Sequence, residues 1–458
     1  MLSRRELAAL VAAFALTLPA VTPRIYASDE IQYFSYLRSL WFDRDVSFEN
    51  EYQHFYEQNI GRGEGFHATF LELSTESGRR PNFATIGCAL LWAPFYAIGH
   101  AAAVARGYPA DGYSYPYIAA VAYGSAFYGF VAILLSIAAA RRVAGHGLAA
   151  GILVWIGTPL LFYMYVSPPY SHACSAFAVA VFVTVWLRVR ASWSIGGAIA
   201  LGLAGALMAM VREQDAILMI GPALDFVWHA LRGDPGMYRR LRPSTLISVA
   251  AAGCVAFLVG VLPQLLAYEA VNGRFGPSTL VTRKMTWSSP HALGVLASPE
   301  HGFLIWTPLA AIAIAGLAML ARRGSAIAKR VAICGLVMVA LQIYVSGSVE
   351  SWTVAGAFGQ RRFVALTILL TIGLAAALAE AGRGPLKTPA AILMALCVWW
   401  NLALIAQFGT GLMNRQRLEV SKNAYDAFVT VPRMVPDLAG RYLFDRGSFY
   451  RRDERRSP

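Results

Sequence analysis

Asp29 and Glu30 stand side by side just after the first apolar run, at the head of a polar stretch in an otherwise greasy chain. A carboxylate in a partly dry cavity can take the proton of an attacking hydroxyl, and ionisable groups held at membrane depth are costly enough to point to chemistry. The segment from Ser28 to Leu40 has the pattern of an amphipathic helix. The two acids could therefore equally be first-turn partners of the helix dipole, worth ~0.3–1 kcal/mol. Both readings stand on the residues alone.

Arginine supplies the complementary charge. Arg79 and Arg80, followed by Pro81, close the polar stretch; Arg361 and Arg362 end another polar segment; Arg212 lies in a short break with Glu213, Gln214 and Asp215. A planar guanidinium matches phosphate oxygens. The plainer roles are snorkelling to headgroups for Arg79 and Arg80 and an internal ion pair for Arg212. Asp43 and Asp45, flanking Arg44, have a spacing that could suit a divalent cation, with a salt bridge to Arg44 as the alternative; Glu49, Glu51 and Glu57 add further acids. His172, after Pro168, Pro169, Tyr170 and Ser171, and His301, after Ser298, Pro299 and Glu300, are accessory or acceptor-binding candidates, or helix caps. The chain has no HExxH, GxSxG or Walker-type loop, which excludes a zinc protease, an α/β-hydrolase and an ATP-driven pump. No metal or other cofactor is expected.

Membrane helices must position these groups. The 458 residues are 57% hydrophobic and 14% charged, with a mean hydropathy of +0.50, where a soluble domain carries about 25% charge. Apolar runs lie near 7–23, 116–140, 147–166, 171–189, 194–211, 215–231, 244–270, 302–321, 328–346, 362–381 and 388–409. With roughly 20 residues needed per crossing, the expected architecture is an all-α polytopic membrane protein with about eleven transmembrane helices. Its integral-membrane domain is 1–410, with a large first outer loop at 24–115 containing juxtamembrane helices, and 411–458 is a short C-terminal tail.

The run 86–104 is assigned to the outer interface. Leaving it out of the crossings puts Arg4 with Arg5, Arg141 with Arg142, Arg188 with Arg190, 232–242, 322–330 and 383–387 on one, cytoplasmic, side. Trp92, Pro94, Phe95 and Tyr96 suit an interfacial helix. The polar elements 24–115, 212–215, 272–301 and 346–362 then share the outer face, so function is expected in a bacterial inner membrane with the site facing the periplasm. The net charge of +13 comes mostly from arginines in short loops and reads as a topology signal, so no nucleic-acid partner is expected. Residues 1–27 also carry the features of a cleaved signal peptide. Cys88, Cys174, Cys254, Cys334 and Cys397 form no CxxC and read as packing residues.

Taken together, these features resemble a GT-C-type glycosyltransferase, the polytopic class that uses polyprenyl-phosphate-linked sugars. Within it they resemble the glycosyltransferase family 39-like bacterial enzymes, which include protein O-mannosyltransferases and lipid A aminoarabinose transferases. The likeness is carried by Asp29-Glu30 opening the first outer loop, Arg80-Pro81 ahead of 86–104, an aromatic span from Tyr117 ending at Arg141-Arg142, and Arg361-Arg362-Phe363. The family's Pro-Pro-Leu is replaced by Pro81-Asn82-Phe83. The resemblance implies a polyprenyl-phosphate sugar donor entering from the outer leaflet, its phosphate meeting Arg80 and Arg362, with Arg79, Arg361 and Arg212 as secondary ligands. It implies that Asp29 is the base of an inverting transfer to a hydroxyl on a lipid, glycan or protein, and that Glu30 orients the acceptor or holds the loop. The prenyl groove would be lined by 86–104 and neighbouring spans, among the membrane lipids. A lipid-linked saccharide transporter or flippase and a glycan polymerase or ligase are the competing readings.

Overall fold

The computed structural model describes residues 2–61, 65–232, 242–382 and 385–449. Helix α1 (Arg4–Thr17) starts at a reciprocal capping box: the Ser3 hydroxyl accepts from the Glu6 amide, and Glu6 accepts from the Ser3 amide at 2.8 Å. It stops before Pro19. The polar stretch then folds into α2 (Ser28–Arg38), a π-helical turn at Ser39–Asp43, and α3 (Glu49–Glu57).

Next come α4 (Gly87–Arg106), α5 (Tyr115–Ala144), α6 (Leu148–Gly157), α7 (Leu160–Tyr165), α8 (His172–Val189) and α9 (Ile195–Val211). A 3-10 segment, Glu213–Met219, leads into α10 (Ile220–Arg232), followed by α11 (Pro243–Asn272). Three short helices, α12 (Thr279–Thr282), α13 (Ala292–Ala297) and α14 (Phe303–Trp306), precede α15 (Pro308–Arg323) and α16 (Ala326–Ser348). A 3-10 turn at Arg361–Leu366 opens α17 (Thr367–Ala381), and α18 (Lys387–Thr410), α19 (Val420–Tyr425) and α20 (Val431–Phe444) complete the order. Among the described residues no sheet forms; Met285 and Val349 make an isolated bridge.

The expectation of about eleven spans is corrected. Among the described residues, seven helices are long and apolar enough to cross a membrane: α4, α5, α8, α11, α16, Arg361–Ala381 and α18. The chain is thus a multi-pass, all-α membrane protein with fewer long helices than its hydropathy suggests. Averaged hydropathy runs through breaks that backbone chemistry does not. The run 7–23 yields only the 14-residue α1, and 147–166 divides at Thr158-Pro159 into α6 and α7. The run 194–211 gives the 17-residue α9; 215–231 begins as 3-10 helix, leaving 13 residues for α10; 302–321 divides at Thr307-Pro308, leaving 16 for α15. Proline lacks the amide donor and clashes with the preceding turn. The run 86–104 forms α4, which at 20 residues is among the seven; ~1.5 Å per residue gives it the ~30 Å of a hydrocarbon core. Of the expected basic connectors, Arg239, Arg240 and Arg383 lie outside the described residues.

Small residues let the helices approach closely. A Cβ on Gly316 of α15 would stand 1.9 Å from the Gly373 carbonyl oxygen of α17, so neither position admits a side chain. A buried ion cluster ties three further helices. Asp225 of α10 accepts from Arg190 at the end of α8 (Nε, 2.8 Å), from Arg330 of α16, and from the Trp186 indole (2.8 Å). Removing one partner of such a cluster would strand a buried charge.

The breaks matter for function. The start of α2, the Pro168-Pro169 link between α7 and α8, the end of α9 and the 3-10 start of Arg361–Ala381 are all helix ends, where side chains escape the apolar packing. They meet at one end of the bundle.

Candidate active site

The connector between α1 and α2 is pinned to α7 and the link after it. The Thr22 amide donates to the Tyr165 carbonyl (2.8 Å), and the Tyr26 hydroxyl bonds Ser167. That docking delivers the first turn of α2 to the centre of the bundle end. The N-cap is Ala27, which has no side-chain acceptor, so Glu30 caps the turn: its Oε2 accepts from the amides of Tyr26 (2.9 Å) and Ala27 (3.1 Å). Glu30 is fully buried. Burial pushes its carboxyl up to about 8, the neighbouring Asp29 charge adds to the rise, and the two amides oppose it. Its other oxygen is buried without a partner. Glu30 is therefore largely neutral at pH 7.

Asp29 is different. Its side chain keeps 36% exposure and its Oδ2 pairs with Arg361 Nη1 at 2.6 Å. The Arg361 guanidinium also lies over the Tyr170 ring, 5.4 Å from its centroid. Tyr170 stacks on His172 (5.6 Å, 20° between planes), and Tyr163 meets His172 edge-on at 4.4 Å. Tyr163 is fixed by donating to the Phe358 carbonyl (3.0 Å), three residues before Arg361. Arg212, released at the end of α9, donates to His172 Nδ1; an arginine has nothing to accept with, so the ring proton sits on Nε2, which is buried and unpartnered. Arg362 is buried and donates to Ser351 through its carbonyl and its hydroxyl, both at 3.1 Å. Arg212, Arg361 and Arg362 all act electrostatically on His172, and Arg361, Arg212 and Asp29 on Arg362. One half-exposed carboxylate thus pairs with Arg361 and acts electrostatically on Arg362, which also feels Arg212.

The structure brings together Asp29, Glu30, Arg212, Arg361, Arg362 and His172 from the sequence candidates. Of the others, His301 lies within electrostatic reach of Arg361, and the rest are held by partners elsewhere. Arg80 is tied to Glu49 (2.8 Å) and to the carbonyls of Glu72 (2.9 Å) and Leu73 (3.3 Å). Arg79 closes a turn by accepting the Thr75 amide at its carbonyl (2.8 Å), and that turn docks on α11 through Ser77 and the Val271 carbonyl (2.7 Å). Asp43 pairs with Arg38 and accepts from Asn50 (2.8 Å); Asp45 accepts from Ser39 (2.7 Å) and the Ser47 amide (3.0 Å). Arg44 between them is left-handed, so the pair shapes a turn. Among the described residues no group of three metal-ligating side chains converges. His301 is buried, stacked on Trp306 (4.7 Å) and donating to the Ala357 carbonyl (2.9 Å); burial pushes its ring down to about 4.

Sequence reasoning missed the aromatic floor. Tyr163, Tyr170 and Tyr33, the last in electrostatic contact with Arg212 and Asp29, carry no motif of their own. Their signal was position: each lies within a turn of a helix break that also bears an ionisable candidate.

No protein family model matches the chain, and no curated protein sequence does. Solved structures do. ArnT from Cupriavidus metallidurans, bound to undecaprenyl phosphate, is 14% identical with a TM-score of 0.53, over 96% of this chain and 78% of that one. The oligosaccharyltransferase of Archaeoglobus fulgidus, in complex with zinc and sulfate, is 15% identical over 95% of this chain and 56% of that one, at a TM-score of 0.47 too low to build on. The chain shares the polytopic all-α membrane fold of that ArnT structure. At such identity the likeness stops at the fold and does not reach family 39.

Proposed function

We propose that the protein is a membrane glycosyltransferase that moves a sugar from a polyprenyl-phosphate donor to an acceptor hydroxyl, with inversion at the anomeric carbon. The observation that carries this reading is the juxtaposition of Asp29 with Arg361, flanked by Arg212 and Arg362, at the bundle end of a GT-C-like fold. The solved neighbour's undecaprenyl phosphate is consistent with a lipid phosphate as the donor's leaving group.

In this mechanism the acceptor oxygen attacks the anomeric carbon as the bond from that carbon to the phosphate oxygen breaks. Asp29 takes the acceptor proton through the carboxylate oxygen that does not bind Arg361. Negative charge gathers on the departing phosphate, where fixed guanidinium donors stabilise it. Arg361 is the first of these because it already lies against the base; Arg212 and Arg362 surround it. Glu30, neutral and capping the turn, positions Asp29. The site faces the periplasm of a bacterial inner membrane.

Asp29→Asn keeps the geometry and removes the base, an effect of about 10²–10⁴-fold on turnover. The variant is expected to reach the membrane, bind donor and transfer sugar at that reduced rate. Near-normal turnover would remove Asp29 from the mechanism.

A further inference from the structure

The C-terminal segment is propped away from the bundle. At one end the Trp399 indole of α18 donates to the Ala427 carbonyl (3.0 Å), and Val431 and Ala427 pack on Ala403. At the other end the Tyr442 hydroxyl bonds the Ala20 carbonyl, and Arg446 donates to the Val21 carbonyl (2.8 Å). Between these props α20 stands off α18 and leaves a cavity of about 460 Å³ lined by Leu402, Ala406, Phe408, Val435 and Ala439. That volume lies within the roughly 300–1,000 Å³ of small-ligand sites.

The cavity's position sets its occupant. Tyr26 and Phe162 line it and also border the active site: Tyr26 donates to Glu30, and Phe162 precedes Tyr163 and stacks on Phe358 at 4.6 Å. Arg415, exposed, also lines it, with its guanidinium 4.7 Å over the Phe408 ring and a single 3.4 Å bond to the Phe408 carbonyl. An apolar channel with a cation on its lining and a wall shared with the site matches a hydrocarbon chain carrying an anionic head. One narrow gap suits one chain, and a diacyl lipid would leave its second chain outside.

We infer that the gap between α18 and α20 is the chain subsite for the single-chain lipid phosphate of the donor, with Arg415 as an additional phosphate ligand. This rests on the donor class proposed above. It moves the chain away from α4, where the sequence suggested a groove, and gives the C-terminal segment a role in substrate binding.

The test uses the full chain in phosphatidylcholine nanodiscs with a diazirine-bearing farnesyl phosphate. Label is expected on residues 399–410 and 431–442, displaced by unlabelled farnesyl phosphate and not by phosphatidylglycerol. Ala406→Trp and, separately, Ala439→Trp fill the gap from opposite walls; each displaces about two buried methylenes' worth of chain and should cut labelling about tenfold. Arg415→Gln should raise the concentration needed for half-labelling. Saturable label confined to α4 would overturn the subsite while leaving the donor class intact. Equal displacement by phosphatidylglycerol would make the gap a general acyl groove and overturn it as well. So would full labelling of both tryptophan variants with melting unchanged; should one variant misfold, the other and the wild-type competition decide. No saturable label anywhere would remove the donor reading itself.

Discussion

Glu30→Gln distinguishes an acid that positions from one that reacts. In the native protein Glu30 is fully buried, caps α2 through two amide bonds of 2.9 and 3.1 Å, and is pushed up to about 8 chiefly by burial. Glutamine offers a carbonyl to the same amides and is neutral, as Glu30 largely is at pH 7, so turnover at pH 7 should stay within a few-fold of wild type. The stability profile should change. A carboxyl near 8 when folded and ~4.5 when unfolded binds a proton that the unfolded chain releases. Its contribution is full below about pH 4.5 and is lost as pH rises through about 8. At ~1.4 kcal/mol per pH unit the ceiling is ~5 kcal/mol, before relaxation and water entry reduce it. Thermal inactivation of wild type should therefore move to lower temperature from about pH 4.5 to about pH 8, and Glu30→Gln should flatten that slope. Glu30→Ala instead strands the capped amides, at ~1–3 kcal/mol for each that stays dry. The assay pairs sugar transfer at pH 7 with inactivation temperature across pH. A loss of ~10²-fold or more in Glu30→Gln, with unchanged melting, would make Glu30 a proton-transfer group and refute the reasoning.

Arg361→Gln should lower turnover by about 10²–10³-fold, the usual cost of losing a donor aimed at developing negative charge; a change confined to KM would assign it to ground-state binding instead. The orientation is tested at Gln58, exposed just beyond α3. Gln58→Cys in intact cells should react with a membrane-impermeant maleimide beyond the wild-type background, and labelling only after lysis would put the site on the inner face.

Much of the candidate site was legible because membrane proteins confine their charges. Asp29, Arg212, His172 and the Arg361-Arg362 pair each interrupt an apolar run, and interruptions at one level of a bundle converge. Arg80 and Asp43 satisfied the same criterion and were drawn elsewhere, Arg80 by Glu49 and Asp43 by Arg38 and Asn50, through contacts that only the folded loop creates. Likewise the difference between adjacent Asp29 and Glu30 follows from which way each side chain leaves the first turn of α2, after Tyr26 and Thr22 have docked it. The span count failed for a local reason: at Thr158-Pro159 and Thr307-Pro308 composition stays apolar while the helix ends. The aromatic floor of Tyr163 and Tyr170 was hidden by its own chemistry, because tyrosine in a membrane chain is as ordinary at an interface as in a site.

Incubating the purified protein with polyprenyl-phosphate sugars and a hydroxyl acceptor, and following the fate of the sugar–phosphate bond, tests the proposed transfer most directly. Free polyprenyl phosphate should appear together with a glycoside of inverted anomeric configuration. Passage of the intact lipid-linked sugar across the bilayer without cleavage, or a product of retained configuration, would contradict it.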